Sequence, residues 1–189
     1  MKNKIEAQLR ESIKVKEDVL ASQIDLIAEL AEALIACLKS GGKILLCGNG
    51  GSAADAQHLA AELVGRFRRE RKALPAIALT TDTSVLTAVA NDYGFDEVFA
   101  RQVTALGGKG DILIALSTSG DSPNVVKATE TARKIGMTTI AFTGADGGKM
   151  KSAADLCLSV PSPKTWRVQE VHITVGHILC DLAEEAMCG

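Results

Sequence analysis

The sequence lacks any apolar run near the ~20 residues that a membrane-spanning helix needs. Its first residues, "MKNKIEAQLRESIKVKEDVL", are charged throughout and hold no apolar signal core. Both absences make the cytoplasm the expected location, with no membrane contact. A strong charge of one sign is missing too. The formal net charge is −2, which speaks against a nucleic-acid surface. The five cysteines, Cys37, Cys47, Cys157, Cys180 and Cys188, are odd in number and show no CxxC or finger spacing. Most sit in apolar runs such as "ILLC" and "HILC", so buried reduced thiols are expected rather than metal ligands. No internal repeat, low-complexity tract or Pro-rich linker interrupts the chain.

What is present fits one compact domain. The chain has 189 residues, of which 47% are hydrophobic, too apolar for disorder and long enough for a substantial core. From Ile5 to Leu38 apolar residues recur at three- and four-residue spacings without Gly or Pro, which predicts a helix. Gly41 and Gly42 end it. Short apolar runs then alternate with helical patterns. The expected strands are Lys43–Cys47, Ala76–Leu79, Asp111–Leu116, Thr138–Phe142 and Asp155–Val160. The expected helices are Ala53–Arg68, Val85–Leu106 with a break near Asn91–Gly94, Asn124–Ile135, and one from about Gln169 to Met187. The strands are continuously apolar rather than alternating, so both faces of the sheet are buried. That pattern predicts a doubly wound α/β fold, a five-stranded parallel sheet flanked by helices, with residues 1–40 as an N-terminal helical extension and 41–189 as the domain proper. Ligands in such sheets bind beyond the carboxyl ends of the strands.

Two post-strand loops stand out. "CGNGGSAAD" follows the first strand; its glycines allow a tight turn, and a helix N-terminus follows, which favours an anion. It lacks the third Gly of a dinucleotide fingerprint and the GK[ST] of a Walker A loop. An ordinary turn with Ser52 as N-cap is the simpler alternative. "ALSTSGDSPN" follows the third strand and crowds Ser117, Thr118, Ser119 and Ser122 around Gly120. A cap needs one hydroxyl; this many suits a phosphate monoester. His58 and Glu62, at i and i+4, share a helix face just behind the glycine loop. The basic run "GRFRRERK", residues 65–72, reads as a solvated helix end or a subunit contact.

These loops, together with "ANDYGF", "TGADGGKM" and "RVQEVHITVGHIL", resemble the sugar isomerase (SIS) domain family and, within it, the phosphoheptose isomerases. The resemblance covers nearly the whole chain. "STSG" alone would indicate only an SIS domain; the joint set of His58, Glu62, Gln169 and His177 is far more specific. The resemblance implies that Glu62 and His177 transfer protons and that His58, Glu62, Gln169 and His177 bind one Zn²⁺ per subunit. It also implies substrate contacts from Asn49, Gly50, Gly51, Ser52, Glu62, Asn91, Asp92, Ser117, Thr118, Ser119, Ser122 and Gln169. The implied reaction interconverts sedoheptulose 7-phosphate and D-glycero-D-manno-heptose 7-phosphate through an enediol, the first step toward the ADP-heptose of lipopolysaccharide cores. A homotetramer with sites between subunits is implied as well. His172 has no such family role and reads as structural. Trp166 departs from relatives that carry an acidic residue before the Arg.

Two physical constraints bear on the zinc set. Gln169 and His177 would lie ~12 Å apart along an unbroken helix. Meeting at one metal then needs opposed side-chain reach, a late helix start or contributions from different chains. A carboxylate bound to zinc is also a poorer base than a free one. A non-catalytic alternative exists, an SIS-domain partner of the replication initiator DnaA, which shares the scaffold but lacks the acid/base set.

Overall fold

The structure, a computed structural model, describes residues 1–188. Five parallel strands form one sheet in the order β2-β1-β3-β4-β5. They are β1 (Ile44–Gly48), β2 (Ala76–Ala78), β3 (Ile112–Leu116), β4 (Thr138–Thr143) and β5 (Leu156–Ser159). Each expected apolar run therefore forms a strand, shifted by no more than one residue at its ends. Successive side chains alternate between two cores, as a strand's pleat requires. Ile44 and Leu46 of β1 face one core with Ile112, Ile114 and Leu116 of β3. Leu45 and Cys47 face the other with Leu113 and Ala115. No helix among the described residues is long and apolar enough to cross a membrane.

The helices divide between the two faces. On the first lie α1 (Lys2–Ser22), α2 (Ile24–Lys39), α3 (Gly51–Val64) and α8 (Thr165–Met187). On the second lie α4 (Thr83–Tyr93), α5 (Val98–Leu106), α6 (Pro123–Lys134) and the short α7 (Met150–Ala153). A 3-10 turn at Phe95–Glu97 joins α4 to α5.

Three expectations need correction. The N-terminal helix is two helices, broken at Gln23, whose backbone (φ −126°, ψ 4°) leaves the helical region. No Gly or Pro marks the break. Just before it, the Ser22 hydroxyl donates to the Asp18 carbonyl, a back-bond that bends helices, and α1 then leans on α8 while α2 packs on both α8 and β5. Second, Asn91 and Asp92 do not interrupt a helix; they form its last turn, and the break comes at Gly94, where φ is 95°. Third, α3 ends at Val64 and α8 begins at Thr165, so the basic run lies outside α3 and the last helix starts earlier than expected.

Candidate active site

The chain runs from β1 outward to β2 and then back to β3 on the other side, so the strand order reverses between β1 and β3. Such a reversal opens a crevice at the carboxyl ends of the two strands. The glycine loop and the serine loop flank it. They are tied together by a reciprocal amide pair: Asn49 Nδ2 donates to Asn124 Oδ1, and Asn124 Nδ2 to Asn49 Oδ1, each at 2.9 Å. Asn124 is buried, so this pair fixes the distance between the loops.

In the glycine loop, Gly50 and not Ser52 is the cap of α3, with φ 55° and ψ −121°, and no side chain closes the helix N-terminus. Ser52 is buried inside the first turn. In the serine loop the Ser122 hydroxyl does not cap α6 either. It pairs with Ser117 Oγ at 2.9 Å, and Ser117 Oγ lies 3.3 Å from Ser119 Oγ. The hydroxyls thus converge on one another, with Pro123 at the helix start contributing no donor. The loop after β4 carries this arrangement from below. Gly144 N–H donates to the Thr118 carbonyl, and Met150 N–H to the Gly120 carbonyl. A Cβ on Gly120 (φ 71°) would collide with the Gly147 backbone. Asn91 and Asp92 are exposed, and the Asn91 amide donates to Asp92.

Helices α3 and α8 run side by side in the same direction. Gly176 sits mid-helix, where glycine costs roughly 1 kcal/mol against alanine. A Cβ there would collide with Leu59. A Cβ on Gly51 would likewise strike the Gln169 amide. These two glycines let the helices approach closely, and the side chains beside each contact meet. His58 Nε2 lies 2.8 Å from His177 Nε2 and 3.3 Å from Glu62 Oε1. The His58 and His177 rings stand edge to face, 5.0 Å between centroids. The candidate donor atoms of His58, Glu62 and His177 all lie within 4.8 Å of one another.

Tetrahedral zinc with bonds near 2.0–2.1 Å sets its ligand atoms about 3.3 Å apart. Two imidazole nitrogens and a carboxylate oxygen are donors that zinc takes, and their grouping within 4.8 Å makes the triad a candidate metal-binding group. The fourth expected member, Gln169, lies eight residues before His177 on the same helix. α8 is continuous from Thr165, which removes the late helix start. The Gln169 amide rests against Gly51 and beside Asp55. Asp55 has a buried Oδ2 with no hydrogen-bond partner. Burial raises its carboxyl above the ordinary value, opposed by the Gln169 amide and by His58 and His177.

Sequence reasoning missed three contributors. Asp55 precedes His58 and Glu62 on the same helix face, and its i, i+3, i+7 spacing was a readable signal. Phe67 packs its ring 5.4 Å from that of His177, and Glu184 reaches the same loop from α8; neither left a local signal. His172 is fully buried and bonds through Nε2 to the Thr143 carbonyl at 3.1 Å.

A family model described as SIS domain matches residues 9–144. Among relatives, the phosphoheptose isomerase of Roseiflexus sp. (strain RS-1) is 57% identical over 180 residues, covering 95% of this chain and 91% of that protein. The chain belongs to the phosphoheptose isomerase family. A second family member, from Clostridium acetobutylicum, is 54% identical over 191 residues, covering 100% of this chain and 97% of its own. The fold of this family is directly comparable. The phosphoheptose isomerase GmhA of Neisseria gonorrhoeae superposes with a TM-score of 0.92 at 48% identity, covering 97% of this chain and 98% of that one. That of Francisella tularensis gives 0.93 at 43%, covering 97% of each.

Proposed function

We propose that the chain is an aldose–ketose isomerase that interconverts sedoheptulose 7-phosphate and D-glycero-D-manno-heptose 7-phosphate. The observation that carries this reading is the convergence of His58, Glu62 and His177 from two helices, at the crevice that the glycine and serine loops flank. The family relation supplies the substrate class. The DnaA-partner alternative lacks an acid/base set, and here that set is assembled.

The residues divide the work. Hydroxyls of Ser117, Thr118, Ser119 and Ser122 take the phosphate, aided by open N–H groups at the start of α6. Asn49, Gly50, Gly51 and Ser52 line the reacting end, with Gln169 beside them. Asn91 and Asp92 contact sugar hydroxyls. Glu62 removes the proton from carbon one of the ketose while His177 delivers a proton to the carbonyl oxygen on carbon two. The product is a cis-enediol. The proton then returns at carbon two, and the oxygen on carbon one gives up its proton as the aldehyde forms. Electrons and atoms balance without a redox partner. His58, Glu62 and His177, with Gln169, would hold one Zn²⁺ per subunit. Bound there, zinc supplies Lewis acidity toward the substrate's oxygens.

We further read residues 1–40 as an extension that serves assembly and 41–189 as the catalytic domain. α1 exposes Ile5, Leu9, Ile13 and Leu20, and α4 has no buried residue within one chain. Both faces suit a homotetramer. The reaction would stand in the cytoplasm as the first step toward ADP-heptose and lipopolysaccharide cores. Incubating the protein with sedoheptulose 7-phosphate and following the aldose by NMR tests the reaction. One chain brings Glu62 and His177 together, so exchange between inactive Glu62→Gln and His177→Ala subunits should restore no activity; regained activity after proven exchange would mean that different chains contribute the two residues.

A further inference from the structure

The run 65–72, basic in sequence, is not a loose surface segment. We propose that Glu184 and Arg71 are positioning residues for the reaction: their buried ion pair fixes this loop so that Phe67 braces the His177 imidazole. The inference rests on the reading of His177 as a proton-transfer group.

Glu184 lies on α8 and is completely buried. A carboxylate is held there only when its charge is met. Its Oε2 accepts from the Phe67 N–H at 2.8 Å, and its Oε1 from the Arg68 and Arg69 N–H groups at 2.7 and 2.6 Å. Three successive main-chain donors around one anion form a nest, and here the anion is the protein's own. Arg71, with a side chain only 3% exposed, brings its Nε to 3.3 Å from the same carboxylate. Burial alone would raise the Glu184 carboxyl; the three N–H donors and Arg71 outweigh it and hold the group below its ordinary value.

Arg71 also reaches the other helix of the seam. Its Nη2 donates to the Glu62 carbonyl at 2.9 Å, and its Nη1 to the Gly65 and Lys72 carbonyls, each at 3.1 Å. The Glu62 carbonyl belongs to the last turn of α3, whose acceptors have no partner within the helix. One guanidinium thus joins the end of α3, the loop and α8.

The geometry closes on the site. Glu184 follows His177 by seven residues, two turns along the same face of α8. The loop that Glu184 fixes sends Phe67 back against the His177 ring, with centroids 5.4 Å apart and planes inclined by 34°. The Nε2 of that ring lies 2.8 Å from His58 Nε2. Phe67 therefore limits the rotation of the imidazole. A buried ion pair is a weak source of net stability. A fixed ring orientation, in contrast, is what proton transfer needs, since small misplacements at a reacting centre carry large rate penalties.

The test uses the intact protein with sedoheptulose 7-phosphate. Phe67→Ala should lower kcat roughly ten- to a hundredfold, with KM within about twofold and a cooperative melt retained. Phe67→Tyr should restore kcat. Glu184→Gln should lower kcat in the same way, and the double variant should be no worse than the poorer single one, because both act through one ring. Wild-type kcat in Phe67→Ala, or fully additive losses, would overturn the proposal. If Glu184→Gln does not fold, the Phe67 pair of variants decides alone. His177→Ala separates the two levels. An active His177→Ala protein refutes the underlying reading. An inactive one, beside an unimpaired Phe67→Ala, refutes only the positioning role.

Discussion

The α3–α8 seam and the serine loop, for which different jobs are proposed, are built in different ways. The serine loop is local: Ser117, Ser119 and Ser122 lie within six consecutive residues and bond one another. Its partners, such as Gly144 and Met150, meet it through the backbone. The seam joins residues 119 positions apart, His58 and His177, through side chains alone. It relies on glycines that permit close approach and on a buried carboxylate that fixes the adjoining loop. A phosphate site can be made from a turn, because donors there need only point one way. An acid/base pair, as proposed for the seam, needs two independently supported side chains, which long-range packing can supply.

The comparison breaks most visibly at the seam. Glu62→Gln keeps the side-chain shape and removes the proton acceptor, so kcat should fall by about 10²-fold or more. Turnover assays on the folded variant check this, and near-normal kcat removes Glu62 as the base. Ser119→Ala with Ser122→Ala should act on binding instead. Losing hydrogen bonds to a charged phosphate should weaken affinity by roughly ten- to a hundredfold. Calorimetry with the phosphosugar reads it, and an unchanged Kd places the phosphate elsewhere.

His172 links the two regions, since it belongs to α8 and holds the carbonyl at the end of β4. Burial lowers its pKa from 6.5 to about 4. Between those values the unfolded chain binds more protons than the folded one. Stability from this group is therefore complete above pH 6.5 and is lost as pH falls toward 4. From pH 7 to 5 the loss is about 2 kcal/mol. Denaturant titrations of the wild type and of His172→Gln should differ by that amount in their pH dependence, and parallel curves refute it. The smallest effect should come from the Arg68–Asp181 pair, which is solvent-exposed on the Arg side. Arg68→Ala should change stability by less than about 1 kcal/mol, because Arg68 serves the seam through its main chain. A larger shift in the denaturant midpoint would give its side chain a role.

Legibility in the sequence follows the same division. The strands were readable because burial on both faces leaves continuous apolar runs such as "ILLC" and "ILIAL". The serine loop and the His58–Glu62 spacing were readable because both are local. The break at Gln23 was not, since its cause is the separate packing of α1 and α2 rather than any helix breaker. Gly176, Phe67 and Glu184 were equally silent. Each acts on a residue from another element, and each looks ordinary among its own neighbours.

The crossing of Gly120 with Gly147 and Gly148 has a consequence for protein engineering. The backbone of the serine loop lies directly on that of the loop after β4, and a side chain on Gly120 or Gly148 would enter the other loop's space. The two loops therefore form one transplantable unit. Grafting the serine loop into another scaffold, or altering its length to admit a longer or shorter sugar phosphate, would require moving residues 144–150 with it. Diversification confined to residues 117–122 should yield mostly misfolded proteins, whereas libraries that vary both loops together should retain the fold.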